Sequence, residues 1–164
     1  MRTAIRNTAT VLFLAGAGPA AAEPLQPPPL LDTIALWLEV NFDLPAAQKH
    51  PTLATLPAAE LVEIRYGAGS SVSPGEVVAV YDDSGTIYFT EGWTGSSVAQ
   101  LSVLVHEMVH HLQTSADMRF ACPGEREAVA YRAQEAWLQL FGMSLETTFG
   151  IDPAMLLFAT ACTH

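Results

Sequence analysis

The chain has 164 residues, 17 of them acidic and 7 basic, for a formal charge of −10. An acidic surface argues against nucleic acid and anionic lipid as partners, since both recruit clustered lysine and arginine. For a peptide partner it implies no more than a preference for basic or neutral sequences.

Residues 1–22 have the pattern of a secretory signal peptide. Arg2 and Arg6 give a positive start, an apolar stretch follows around Val11 to Ala15, and Ala20-Ala21-Ala22 offers a small-residue cleavage site before Glu23. The stretch is too short to span a bilayer well. No cysteine follows the cleavage point, so no lipid anchor is expected. The chain is therefore expected to be secreted or periplasmic, with no stable membrane anchor. Removing the 22-residue leader and its two arginines leaves 142 residues and a formal charge of −12. That length suits one domain, residues 23–164, with a real core. Its two cysteines, Cys122 and Cys162, are expected to form one disulfide in an oxidising compartment. Closing a loop of about 40 residues is worth roughly 4 kcal/mol in the chain-entropy model.

Glu23 to Pro29 is Pro-rich and reads as an extended lead-in. Leu30, Leu31, Ile34, Leu38 and Phe42 recur at helical spacing, and Pro45 ends that pattern. Thr52 to Leu56 reads as a short strand. Pro57 opens a short helix that Gly67 closes, with a strand over the same residues as the competing reading. Gly67 to Gly75 is a loop. Val77 to Tyr81 and Thr86 to Thr90 are β-rich runs joined by the turn residues Asp82-Asp83-Ser84-Gly85, a hairpin pattern. Ser96 or Ser97 caps the next helix, with Gln100 placed as in a capping box. This helix runs to about Thr114 and is apolar on most sides, which marks it as buried. Cys122-Pro123-Gly124 breaks the chain, Glu125 to Phe141 forms a second long helix, and Asp152-Pro153 opens a last short one through Ala161. The order predicts an α+β fold, with a small antiparallel sheet or hairpin packed beside two central helices.

The buried helix contains His106-Glu107-Met108-Val109-His110, an H-E-x-x-H motif. Residues four apart share one helical face, so both imidazoles can reach one ion. Glu107 then sits where a general base acts on the attacking water. Two imidazoles and a carboxylate on a buried helix carry a heavy desolvation cost unless a cation pairs with them.

The third ligand is sought among Glu125, Glu127 and Glu135. Glu127 shares a face with Ala130, Tyr131, Gln134, Trp137, Leu138 and Phe141, which is mostly apolar and must point inward. Arg126, Arg132, Glu135 and Gln139 mark the outer face. An inward carboxylate needs a partner, so Glu127 is the expected ligand. Glu125, nearer the helix start, ranks second and has the helix dipole as its ordinary role. The metzincin pattern would need Gly at 113 and His at 116, where Gln113 and Ala116 stand. Zinc is expected from the ligand types, although His/Glu sites accept other transition metals as well.

His106-Glu107-x-x-His110 followed on the next helix by Glu127 resembles the gluzincin group of zinc metallopeptidases, and residues 127–134 are similar to the glutamate helix of small, minimal members of that group. The resemblance covers residues 77–141 best. It implies a zincin-like fold, a bound Zn2+, a peptide or protein substrate, and an edge strand, Thr86 to Thr90, that pairs with extended substrate. It also implies a Tyr or His that stabilises the oxyanion, with Tyr131 and Tyr88 as candidates. His111 reads as lying behind the metal residues or at the surface, and His50 and His164 as solvent-exposed. The rival expectations are a non-catalytic, zinc-stabilised binding protein of the same fold and, without any His-rich tract to favour it, a zinc-buffering protein.

Overall fold

The computed structural model describes residues 29–162; the expected leader, the Pro-rich segment up to residue 28, and His164 lie outside them. The elements are α1 (Leu30–Phe42), β1 (Thr52–Leu56), α2 (Ala58–Tyr66), β2 (Ala79–Tyr81), β3 (Thr86–Thr90), α3 (Val98–Ser115), α4 (Pro123–Gln139), α5 (Leu145–Phe149) and α6 (Pro153–Thr160). The class is α+β. Among the described residues no helix is long and apolar enough to cross a membrane.

The sheet corrects the sequence reading in two ways. It is mixed, not antiparallel, with strand order β1-β3-β2. β3 pairs antiparallel with β2 through the expected hairpin, but it also pairs parallel with β1, Thr52 opposite Thr86 through Leu56 opposite Thr90. Thr86–Thr90 is therefore the central strand, and β1 and β2 are the edges. The turn residues show that β2 and β3 pair locally; they carry no information about the far side of β3. There Thr52 N–H donates to the Gly85 carbonyl and Glu91 N–H to the Leu56 carbonyl, continuing the ladder at both ends.

Alternation along the strands gives the sheet two apolar faces. Ile87 and Phe89 point toward α3 and pack with Leu104, Met108 and Leu112 in the main core, alongside Ile34 and Leu38 of α1 and Ala130, Ala133 and Trp137 of α4. Val80 and Tyr88 point the other way, toward Leu61 and Val62 of α2. α3 is thus enclosed by sheet, α1 and α4, and every residue from Ser102 to Gln113 is buried.

Ser97 caps α3 by accepting the Gln100 N–H at 3.1 Å. The Gln100 amide oxygen in turn accepts from Ser96 N–H, one residue short of the usual reciprocal bond. α4 starts at Pro123 and ends at Gln139, two residues before Phe141. Phe141, expected inward, is consequently exposed, and Ala133 is buried in the core. The expected disulfide joins Cys122, at the N-cap of α4, to Cys162 just past α6, and is present. α5 is an element that the hydrophobic periodicity did not predict. Its signal was the capping box of Ser144 and Thr147.

Candidate metal centre

α3 and α4 lie side by side, and their contact face brings together His106, His110 and Glu127. The Glu127 Oε2 atom is 3.3 Å from His106 Nε2 and 3.4 Å from His110 Nε2. One ligand atom from each of the three side chains lies within 4.8 Å of the others, a grouping able to hold a metal ion.

The remaining ring nitrogens are held from behind, which turns both Nε2 atoms toward Glu127. His110 Nδ1 is 3.1 Å from the Gln113 amide oxygen. The Gln113 amide nitrogen donates to the Arg126 backbone carbonyl, which can only accept. That fixes the amide's orientation, so its oxygen faces His110 and Nδ1 carries the proton. His106 repeats the logic. Its Nδ1 is 3.1 Å from the Gln134 oxygen, the Gln134 nitrogen donates to Ser102 Oγ, and Ser102 donates to the Ala99 carbonyl. Each chain of hydrogen bonds ends on a backbone carbonyl, and each fixes a proton on Nδ1 and turns Nε2 toward Glu127, the nitrogen that would ligate an ion. The donor set, two imidazole nitrogens and one carboxylate oxygen, fits a transition-metal ion.

Charge is arranged to match. Burial pulls the Glu127 carboxyl up, but the two imidazoles outweigh it and hold the group well below the usual carboxylate range, so it is ionised at neutral pH. Burial alone would lower the His106 imidazole; the Glu127 and Glu107 carboxylates reverse that and hold it above its ordinary value. A site that favours positive charge at this point is one that favours a cation. Arg65, from the last turn of α2, donates to the other oxygen, Glu127 Oε1, at 3.0 Å, leaving Oε2 toward the imidazoles. No local pattern marked Arg65, Gln113 or Gln134 for these roles. The link from Arg65 spans 62 residues, and the two glutamines stand out only as amides on buried helix faces.

The group opens into a cleft of about 290 Å3 bordered by β2, the end of α2, α3, α4 and the turn carrying Phe149 and Ile151. Glu107 is buried and lines this cleft beside the two histidines. Tyr131 also lines it, half-buried, with its ring 4.7 Å from that of His106. Burial and then the Glu127 charge raise the Tyr131 phenol, which keeps its proton available for donation. Tyr88 packs on the α2 side of the sheet and does not line the cleft. Glu125 stands apart and accepts the Ala121 N–H at 2.7 Å.

Several outlying residues differ from expectation. Arg126, assigned to the outer face, is partly buried and borders the cleft. Glu135, also assigned outward, accepts the Leu145 N–H at 2.7 Å and so joins α4 to α5. His111 is neither behind the metal residues nor at the surface. It is buried beside Tyr81, with Nε2 on the Lys49 carbonyl at 2.8 Å. His50 is exposed as expected but paired with Asp32 at 2.6 Å.

No curated protein and no solved structure shows detectable similarity to the chain. A family match does exist, over residues 23–164, and by it the chain belongs to the family described as Domain of unknown function (DUF6647).

Proposed function

We propose that the protein is a small zinc-dependent metallopeptidase of gluzincin type that hydrolyses amide bonds in a peptide or protein after export. The observation that carries this reading is the convergence of His106 Nε2, His110 Nε2 and Glu127 Oε2, with both imidazole tautomers set from behind, at the floor of an open cleft. A scaffold-only role would not require the cleft. His106, His110 and Glu127 would hold the ion, which supplies Lewis acidity and an electrostatic anchor for developing negative charge.

The chain's own groups do the rest. Glu107 takes the proton from the attacking water and passes it to the leaving amine nitrogen. Tyr131 donates its hydroxyl hydrogen to the carbonyl oxygen as negative charge builds on it. Gln113 and Gln134 hold the imidazoles in register. The strand available to extended substrate is β2, not β3, because β2 is the sheet edge that borders the cleft. Its free side would add a peptide by β-augmentation.

The test is Glu107→Gln. The variant should bind metal as the parent does and lose about two to four orders of magnitude in peptide hydrolysis. Loss of metal together with activity would instead assign Glu107 to the structure of the centre.

One observation favours a second reading, a non-catalytic binding protein stabilised by its metal. No residue of α6 is buried, and Leu157 and Phe158 are 69% and 85% exposed. Metal-loaded protein that hydrolyses no member of a diverse peptide library, yet recovers the same partner in repeated pull-downs that Phe158→Ser abolishes, would favour it.

A further inference from the structure

The cleft contains a cation that the hydrolytic reading does not use. Five basic residues follow the expected leader, and two of them, Arg65 and Arg126, border the cleft. Arg65 is committed to Glu127. Arg126 has no ion-pair partner among the described residues. Its Nη2 donates to Thr114 Oγ1 at 3.1 Å, which holds the guanidinium against the last turn of α3. Its Nε is buried and has no partner. The helix C-terminus supplies only a fraction of a negative charge. The remaining carboxylates that border the cleft are Glu76, Glu107 and Glu127, none within ion-pair distance of Arg126. Partial burial of a guanidinium without a carboxylate in contact is unfavourable unless a ligand completes it.

We propose that Arg126 forms an anion subsite of the cleft and that its ligand is a carboxylate of the substrate; the proposal rests on the peptidase reading above. A guanidinium offers paired N–H donors in a planar fork that matches a carboxylate. Position supports the same conclusion. Thr114, which holds Arg126, lies four residues past His110, about 6 Å along the helix. Extended peptide advances about 3.3 Å per residue. A carboxylate at Arg126 therefore belongs one or two residues from the bond presented to His106 and His110. Two parts of a peptide offer that chemistry, an Asp or Glu side chain on the N-terminal side of the bond and a free C-terminus beyond it.

The experiment uses zinc-loaded protein and two series of peptide hydroxamates, whose binding does not depend on turnover. One series carries Glu or Gln on the N-terminal side of a C-terminal hydroxamate. The other carries a free or amidated C-terminus beyond an N-terminal hydroxamate. Calorimetric Kd values are compared within each pair. In one series the acid form should bind roughly ten- to a hundredfold more tightly, as for a charge-assisted hydrogen bond. That ratio should fall toward unity in Arg126→Gln and to an intermediate value in Arg126→Lys. The lysine variant keeps the charge near α3 and serves if the glutamine variant does not fold. Ratios near unity in both series with the parent protein, or a ratio unchanged by either variant, would overturn the subsite. Acid preference without hydrolysis of any peptide would sink the peptidase reading and leave the subsite standing. Failure of every hydroxamate to bind would sink both.

Discussion

Two glutamines set the chemistry of two histidines. An imidazole can carry its proton on either nitrogen, and in water the choice is nearly free. Here Gln113 and Gln134, themselves fixed by the Arg126 carbonyl and by Ser102, commit His110 and His106 to Nδ1–H. Replacing either glutamine with leucine preserves bulk but removes the acceptor, and in Gln113→Leu it also strips the Arg126 carbonyl of its donor. Metal affinity measured against a competing chelator should drop about 10- to 100-fold in each variant. Unchanged affinity in both would mean that the tautomers are held by something else. The convergence of the candidate trio was legible in the sequence. H-E-x-x-H spacing places two imidazoles on one helical face, and the apolar neighbours of Glu127 turn it inward. The groups around it were not, because each is recruited from a distant segment, as Arg65 is from α2.

His111 shows the same limit and gives a pH test. Next to His110 in sequence, it is rotated by about 100° and enters a different environment. Burial pushes its pKa below the ordinary 6.5, and the nearby His50 adds to this, against the Lys49 carbonyl, which raises it. A depressed histidine pKa means that the unfolded chain binds the proton more readily than the folded one. His111 therefore contributes stability that is present above about pH 6.5 and is lost as pH falls through the lower folded value. The melting temperature should decline on acidification in that window, and His111→Gln should flatten the decline. An equally steep decline in the variant would place the acid sensitivity elsewhere.

At the scale of elements, the position of α4 decides whether Glu127 reaches α3. Its first turn is held by the disulfide at Cys122 and by the close approach of α6 at Gly124. A Cβ on Gly124 would meet the Thr160 carbonyl oxygen at 2.6 Å, so only glycine permits the contact. Gly124→Ala, three residues before Glu127, must push α6 away or shift the start of α4. It should cost about 1–3 kcal/mol in chemical denaturation, as overpacked sites do. A variant as stable as the parent would show that α6 yields freely. Most elements were legible from local chemistry: helical spacing in α1 and α3, Pro-to-Gly bracketing in α2, turn residues between β2 and β3. The parallel pairing of β1 with β3 was not, since register between strands some 30 residues apart leaves no local trace. That pairing buries β3 in the sheet and leaves β2 as the edge that borders the cleft.

Across the described residues, one buried helix lies between the sheet, α1 and α4, and that helix contains the polar cluster. Burying His106, Glu107, His110, His111 and Gln113 on α3 is unfavourable in itself, and hydrogen bonds to distant elements offset only part of the cost. On the proposed reading, a cation between His106, His110 and Glu127 would supply the rest and join α3 to α4, so occupancy of the site and stability of the fold should rise together. The most direct measurement is the metal content of the purified chain beside His110→Ala and Glu127→Ala, after reconstitution with zinc. The account predicts about one ion per chain in the parent and its loss in both variants, because each removes one of three ligands. No bound metal in the parent, or full occupancy in the variants, would contradict it.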